Sequence, residues 1–191
     1  MTPTIAQKPR AQRADARRNR DKVLVAARAQ FAERGLDASI EAIAHDAGVG
    51  VGTIYRHFPT KEDLLRALAD ARFEGLAAAA RAALEVEDPW EGFAGFMTHS
   101  ARVMATDRAL SEAMDQLPGL CSSAAARVDM LGHVGAVIAR AQKSGDLRKD
   151  IVAGDVPALI CGLGSAIHSD VERPTMSWER YLEIILTGLR A

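Results

Sequence analysis

Apolar residues recur at helical spacing along most of this chain, and the sharpest example lies between Ser39 and Phe58. Ser39 is a favourable N-cap, and apolar residues follow it at offsets of 0, 3, 4 and 7, on one helical face. These residues are Ile40, Ile43, Ala44 and Ala47. Gly48 then suits a left-handed helix end, and Val49 and Ile54 turn inward on a second short helix. The pattern predicts a helix-turn-helix, whose second helix lies in the major groove of DNA, with an ordinary helical hairpin as the alternative.

The same spacing predicts helices on both sides of this segment. A first helix is expected over about residues 14–34. A fourth begins at Thr60, where Asp63 resembles the acid of a capping box, and continues to about Leu84. Five more are expected over about 90–106, 107–117, 122–144, 155–171 and 177–189. Strand-type alternation with hairpin signals is absent, so the predicted fold is all-α with about nine helices.

Charge and periodicity divide the chain into three predicted regions. Residues 1–12 lack periodicity and are predicted to form a disordered basic arm, followed by a three-helix helix-turn-helix domain over 13–60 and a second helical domain over 61–191. The net charge of the 191 residues is −1, but residues 1–60 hold ten Lys or Arg against six acids, so the remainder carries −5. A basic end on an acidic body suits a protein whose one end meets a polyanion.

The cysteines and the hydropathy bear on the compartment. Cys121 and Cys161 lack CxxC spacing and are predicted to be free thiols in a reducing cytoplasm. No apolar run is long enough to span a membrane, and the basic N-terminus lacks the apolar segment of a signal peptide. We therefore expect a cytoplasmic protein without a membrane partner.

The segment GTIYRHFPTKEDLL, residues 52–65, sits in a block over residues 18–68 that strongly resembles the DNA-binding domain of the TetR family of transcriptional regulators. The resemblance implies a homodimer that binds a palindromic DNA operator and usually represses. It also implies that a small molecule in the C-terminal ligand-binding and dimerisation domain moves the fourth helix and releases the DNA. Neither a cofactor nor an enzymatic activity is implied.

The resemblance also implies which residues contact DNA. Tyr55 and Lys61 match the family's phosphate-contacting tyrosine and lysine, and Arg56 is the candidate for bidentate reading of a guanine, with a phosphate contact as its alternative. The other candidates are Arg18, Ser39, Val51, Gly52, Thr53 and His57. The expected helix-turn-helix core is Ile43, Ala44, Gly48, Val49, Ile54 and Phe58. Val51 and Glu41 depart from the polar or basic residues that many members place there, so the base preference is not set by the resemblance.

The middle helices are rich in methionine and phenylalanine, which predicts an adaptable apolar effector pocket, with ordinary core packing as the alternative. The pocket candidates are Phe93, Phe96, Met97, Met104, Met114, Leu117, Met130 and His133. The histidines lack close i, i+4 pairing, so no metal site is predicted. The last two helices are candidates for a dimer face, with packing inside one subunit as the alternative. The dimer-face candidates are Gly162, Ser165, Ala166, Trp178, Tyr181 and Ile185.

Three functions are compatible with these patterns. The leading hypothesis is a ligand-responsive transcriptional repressor. The first rival is an all-α enzyme or small-molecule-binding protein that uses the cavity without binding DNA. GxSxG, HExxH and phosphate-binding glycine loops are absent, which argues against catalysis. The second rival is a nucleoid-type or activating DNA-binding protein without a ligand.

Overall fold

The structure of the chain is a computed structural model. It describes the backbone of residues 10–107, 111–112, 116–117, 119–169 and 177–191, and their side chains apart from those of 10–13 and 166–169. These residues form nine α-helices and no β-strand. The chain divides into two compact units between Leu68 and Ala69.

The first unit contains three complete helices and the start of a fourth. They are α1 (Arg10–Arg34), α2 (Ile40–Ala47), α3 (Val51–His57) and the first turns of α4 (Lys61–Glu85), with a 3₁₀ turn at Gly35–Asp37. Helix α1 begins four residues before the predicted start, inside the segment predicted as a disordered arm, because residues 10–13 are all good helix formers. Residues 1–9 of the predicted arm lie outside the described residues.

The core of the first unit forms where α1, α2 and α3 meet. Five large apolar side chains from these helices and from α4 are fully buried. Their positions define the inner face of each helix. They are Val23, Phe31, Ile43, Ile54 and Leu64. The opposite face of the short α3 is thereby left toward solvent.

The second unit contains the rest of α4 and five further helices. They are α5 (Pro89–Thr106), α6 (Leu120–Arg127), α7 (Met130–Ser144), α8 (Asp155–Ser169) and α9 (Trp178–Leu189). The predicted helix over 107–117 falls mostly outside the described residues, as do the last two residues of the helix predicted over 155–171.

The prediction of one continuous helix over 122–144 is wrong, because the helix is interrupted at Asp129. Asp129 adopts a left-handed conformation with φ of 47°, which ends the α6 segment and starts α7 at Met130. Gly132 makes this possible, since a β-carbon there would lie closer than 3.0 Å to the Asp129 carboxylate. The apolar period carries across the break, which is why the sequence pattern conceals it.

The C-terminal end of α4 is held by two neighbouring helices. Arg140 of α7 donates hydrogen bonds to the carbonyls of Ala83, Val86 and Glu87, at 3.3 Å for Ala83 and 3.0 Å for Glu87. The Ala83 carbonyl is a helix-end acceptor that lacks a partner within α4, Val86 and Glu87 directly follow the helix, and a cation there also complements the helix dipole. Gly92 of α5 packs so closely that a β-carbon would overlap the Ala83 carbonyl oxygen.

Candidate DNA-binding surface and effector cavity

The turn between α2 and α3 is built from capping interactions at both ends of α2. The Ser39 hydroxyl accepts a hydrogen bond from the Ala42 backbone at 3.1 Å. At the other end Gly48 has φ of 64°, its N–H donates to His45, and the Val49 N–H donates to the Ala44 carbonyl at 3.0 Å. This pair of bonds is the Schellman pattern, which needs a left-handed residue that glycine supplies without strain.

Four of the six predicted helix-turn-helix core residues are buried: Ile43, Ala44, Ile54 and Phe58. Val49 is half-buried, and Gly48, at the turn, is exposed. The side chain of Phe58 closes the end of α3, and its backbone N–H donates to the Ile54 carbonyl at 2.8 Å. The inner face of α3 is therefore fixed, and its outer face can act as a rigid surface.

The outer face of α3 carries the predicted DNA-contacting residues. Tyr55 is 47% exposed, and Arg56 and Gly52 are also exposed. The remaining candidates on this helix are half-buried: Val51, Thr53 and His57. A half-buried side chain still presents its outer edge, so the helix offers a phenol, a guanidinium and small residues in one short stretch.

Lys61, at the start of α4, is engaged by the fold itself. Its ammonium donates to the carbonyl of Leu36 and lies 5.6 Å from the centre of the Phe31 ring. The preceding Thr60 and Asp63 form the predicted capping box, with the Thr60 N–H donating to the Asp63 carboxylate at 3.1 Å and the Asp63 N–H donating to the Thr60 hydroxyl at 3.0 Å. Lys61 thus has a structural role in the first unit besides its predicted phosphate contact.

The basic residues on the first turns of α1 differ in what they contact. Arg18, a predicted DNA-binding residue, forms an exposed ion pair with Asp15. Arg20 lies over the Phe58 ring, with its guanidinium carbon 5.5 Å from the ring centre. A cation over an aromatic face is attracted by the ring quadrupole, so Arg20 ties α1 to the end of α3. The contact between Arg20 and Phe58 could not be predicted from the pattern, because the two residues are distant in sequence.

A second connection missed by the sequence analysis joins α1 to α2. The amide of Gln30, which is 7% exposed, donates to the Asp46 carboxylate at 2.6 Å. This hydrogen bond is the main reason why the pKa of Asp46 lies below its ordinary value of 3.8, and a hydrogen bond with His45 is the second. Gln30 stands three residues after Ala27 on the apolar stripe of α1, and a polar residue on such a stripe is the signal that could have identified this contact.

The second unit contains a cavity of about 120 Å³ between α4, α5, α7 and α8. Of the predicted pocket residues, Phe96, Met104 and Met130 line it. Phe93 and Met97 instead are 0% exposed in the core and do not line the cavity. The reason is helical phase: residues 96, 100 and 104 form one stripe of α5, and residues 93, 97 and 101 form the neighbouring one.

The other predicted pocket residues lie elsewhere. His133 contacts Arg81 at 3.3 Å between ring Nε2 and the guanidinium, and half-buried Leu117 does not line the cavity. Met114 lies outside the described residues. Sequence reasoning missed two polar cavity residues, Arg72 of α4 and Ser100 of α5. Arginine in an amphipathic helix ordinarily indicates a solvent-facing position, so nothing in the pattern marked Arg72.

The predicted dimer-face residues lie on two exposed helix faces. The exposed positions of α8 include Ala158, Cys161, Gly162 and Ser165, and the exposed or half-buried positions of α9 include Tyr181, Ile184, Ile185 and Gly188. Each set has the spacing i, i+3, i+4, i+7 of a single helical stripe. Trp178 is half-buried and packs against the core, and the side chain of Ala166 lies outside the description.

The described residues contain no group of three or more His, Cys, Asp or Glu residues placed to hold a metal ion. Among them there is also no helix both long and apolar enough to cross a membrane.

A short exposed helix set on a glycine turn, backed by a buried apolar face, defines a helix-turn-helix DNA-binding unit, here joined to a helical unit with its own cavity. Residues 23–68 match the family model for bacterial regulatory proteins of the tetR family. Residues 88–191 match the model for the C-terminal domain of SbtR-like transcriptional regulators. The chain belongs to the TetR family of transcriptional regulators, which are DNA-binding transcription factors and not enzymes.

Three relatives illustrate the similarity. The HTH-type transcriptional repressor KstR of Mycolicibacterium smegmatis is 33% identical over 138 residues, which are 70% of this chain and 68% of that protein. The crystal structure of a TetR transcription regulatory protein from Mycobacterium vanbaalenii is 34% identical, with a TM-score of 0.73 over 94% of this chain and 99% of that one. The regulator SCO0520 of Streptomyces coelicolor is 30% identical, with a TM-score of 0.71 over 90% and 98%.

Proposed function

We propose that this regulator represses transcription by binding a two-fold symmetric operator as a homodimer, and that a small molecule in the cavity of the second unit releases the DNA. The observation that carries the proposal is the outer face of α3, where exposed Tyr55 and Arg56 stand on a helix whose inner residue, Ile54, is 0% exposed. A rigid helix with exposed polar side chains is what reading of the major groove requires.

On this surface we assign contacts by chemistry. The Tyr55 hydroxyl and the Ser39 end of α2 would bind phosphates, since hydroxyls and helix N-termini both suit an anion. Arg56 would read a guanine, because its planar fork matches the O6 and N7 atoms. Gly52 would let the α3 backbone approach the DNA closely. The methyl groups of Val51 and Thr53 would contact a thymine methyl. Lys61 and Arg18 would bind phosphates on either side of α3. To do so, Lys61 would keep or exchange its hydrogen bond to Leu36, and Arg18 its ion pair with Asp15.

The homodimer rests on the two stripes of α8 and α9. Small residues on α8 permit close approach of helices, and Ile184, at 48% exposure, together with Tyr181 and Ile185 supplies apolar area to bury. Two such stripes from each of two subunits would form a four-helix interface. A dimer places two recognition helices on successive major grooves about 34 Å apart, or a multiple of that distance. As a DNA-binding regulator it would act in the cytoplasm, where a bacterial chromosome lies.

The release step rests on α4. This helix begins in the first unit at Lys61, lines the cavity with Arg72, Phe73 and Leu76, and ends under Arg140. A ligand in the cavity would therefore touch the same helix whose first turns belong to the first unit. The ligand can shift the equilibrium between the DNA-bound and the DNA-free protein. The size of this shift is limited by the difference in the ligand's binding free energy between the two positions of α4. Repression, rather than activation, is supported by the relative KstR, which is itself a transcriptional repressor.

The test is selection of bound duplexes from a random pool at a fixed salt concentration, followed by affinity measurements on the recovered site. Recovery of a two-fold symmetric sequence is the expected result. Arg56→Ala should then weaken binding by about 1–3 kcal/mol and relax the preference at one base pair if the side chain reads a guanine. If Arg56 instead binds phosphate, all sequences should weaken alike and the salt slope should fall by about 1.

A matched control separates these effects from damage to the fold. Arg102→Ala removes an exposed arginine of α5, in the second unit, and should leave the affinity unchanged. Tyr55→Phe removes only the phenol hydroxyl and should weaken binding. Failure to enrich any duplex at low salt, or full affinity in both Arg56→Ala and Tyr55→Phe, would contradict the proposed DNA surface.

A further inference from the structure

The cavity of the second unit is small and has one polar end. Its volume of about 120 Å³ is slightly below the roughly 150 Å³ of an engineered apolar cavity that accepts benzene. Two phenylalanines and two methionines contribute to its walls: Phe73, Phe96, Met104 and Met130. Aromatic rings and thioethers both make favourable contacts with a further aromatic ring. A four-ring steroid nucleus is several times larger than benzene and exceeds this space.

The polar end is formed by Arg72 and Ser100. The Ser100 hydroxyl donates to the Phe96 carbonyl at 2.9 Å, so toward the cavity it offers lone pairs. The Arg72 guanidinium donates to the Ser111 hydroxyl at 3.1 Å and to the Met104 sulfur at 3.1 Å. A thioether is a weak acceptor, whereas a carboxylate or carbonyl oxygen is a strong partner for a guanidinium. At the Arg72 Nη2 group that now contacts Met104, an oxygen on a ligand would therefore be a stronger acceptor than the sulfur.

We propose that the effector cavity takes a compact, single-ring aromatic compound bearing a carboxylate or carbonyl group, and that Arg72 binds this oxygen. The proposal rests on the proposed function, because it names the ligand class and the sensing residue of the same cavity. The ring fills the space between Phe73, Phe96 and the methionines, and the oxygen faces the guanidinium. The entrance lies beside Pro157, which lines the cavity and is also exposed.

This assignment also explains how the ligand reaches three helices at once. Arg72 belongs to α4, Met104 to α5, and Gly164 of α8 packs so tightly on Met104 that a β-carbon would stand 2.5 Å from its Cγ. Replacing the Arg72–Met104 contact therefore changes how α4 is held against the α5–α8 pair. The polar end of the ligand, rather than the ring, carries the signal to α4.

The test is isothermal titration calorimetry on the full chain without DNA, using four probes. Benzoate and acetophenone carry the oxygen, toluene lacks it, and testosterone carries a carbonyl on four fused rings. We expect benzoate and acetophenone to bind more tightly than toluene, and testosterone not to bind. Arg72→Met should weaken benzoate by roughly 10- to 100-fold, the range for a hydrogen bond with a charged partner, and should change toluene by less than about twofold.

Two further variants keep the test decisive. Arg72→Lys retains the charge without the planar fork and should weaken benzoate less than Arg72→Met does. Arg102→Met makes the same substitution at an exposed position of α5 outside the cavity lining and should change nothing. Circular dichroism of each variant establishes that it is folded.

Three results would overturn the inference. They are testosterone binding as tightly as benzoate, benzoate affinity that is unchanged in Arg72→Met and Arg72→Lys, and absence of benzoate and acetophenone binding at millimolar concentration. Because no DNA is present, these outcomes are independent of operator selection. A recovered operator without binding of single-ring probes removes the ligand class and leaves the proposed repressor function standing.

Discussion

The contact between Gly92 and Ala83 can be tested by placing one methyl group on each of two glycines of α5. Gly92 is buried, and a β-carbon there would lie closer than 3.0 Å to the Ala83 carbonyl oxygen and 3.4 Å from its carbonyl carbon. Gly95, on the same helix, is exposed and has open space where its β-carbon would be. Gly92→Ala and Gly95→Ala are therefore the same chemical change with and without the close approach.

The magnitude follows from two opposing terms. Alanine is favoured over glycine inside a helix by about 1 kcal/mol, and this gain applies to both variants. At Gly92 the methyl group meets backbone, not a flexible side-chain end, and the Ala83 carbonyl is also held by Arg140, so the neighbour cannot yield easily. Overpacking of this kind costs about 1–3 kcal/mol. We expect Gly95→Ala to stabilise the fold and Gly92→Ala to lie about 1–3 kcal/mol below it.

The assay is urea and thermal unfolding followed by far-ultraviolet circular dichroism, at one protein concentration for all variants, since any self-association makes the melting temperature depend on concentration. A difference of 1 kcal/mol corresponds to a few degrees in a unit of this size. If Gly92→Ala is as stable as Gly95→Ala, then α5 does not approach the end of α4 as described, and the account of how α4 is held is wrong.

Two further predictions concern the first unit. Gly48→Ala should lower the free energy of unfolding by about 1–2 kcal/mol, because φ is 64° there, whereas Gly52→Ala, in open space on α3, should not; equal effects in urea titrations would refute the left-handed turn. The pKa of Asp46 is held below 3.8 chiefly by the hydrogen bond from Gln30, so its carboxylate stabilises the fold at pH values above 3.8, and this contribution is lost as the pH falls through the folded-state pKa. Asp46→Asn should therefore show a shallower loss of stability in acid than the unsubstituted chain, and parallel profiles would count against the Gln30 contact.

Local features of the first unit could be predicted from sequence because their partners lie within a few residues. The Ser39 cap, the Gly48 turn and the Thr60–Asp63 box each involve residues no more than five apart, and all three are present. The all-α fold and its helix-turn-helix are confirmed by the family match over residues 23–68. The domain limits at residues 12 and 60 and the assigned DNA contacts stay predictions.

Features that depend on distant partners could not be predicted in this way. Arg72, Arg140 and Lys61 are charged residues on amphipathic helices, and their pattern alone indicates solvent-facing positions. The structure instead gives each a partner on another element: Met104, the end of α4 and the Leu36 carbonyl. The break at Asp129 was missed because the apolar period continues through it, and Phe93 and Met97 were misplaced by one helical stripe.

The fixed C-terminal end of α4 decides which part of this helix can move within the second unit. Gly92 and Arg140 hold the helix at Ala83. Arg72 lies roughly eleven residues before Ala83, or about 16 Å along the helix. A rotation of this part of α4 about Ala83 would therefore displace the backbone least beside Gly92 and most at the cavity wall that Arg72 forms.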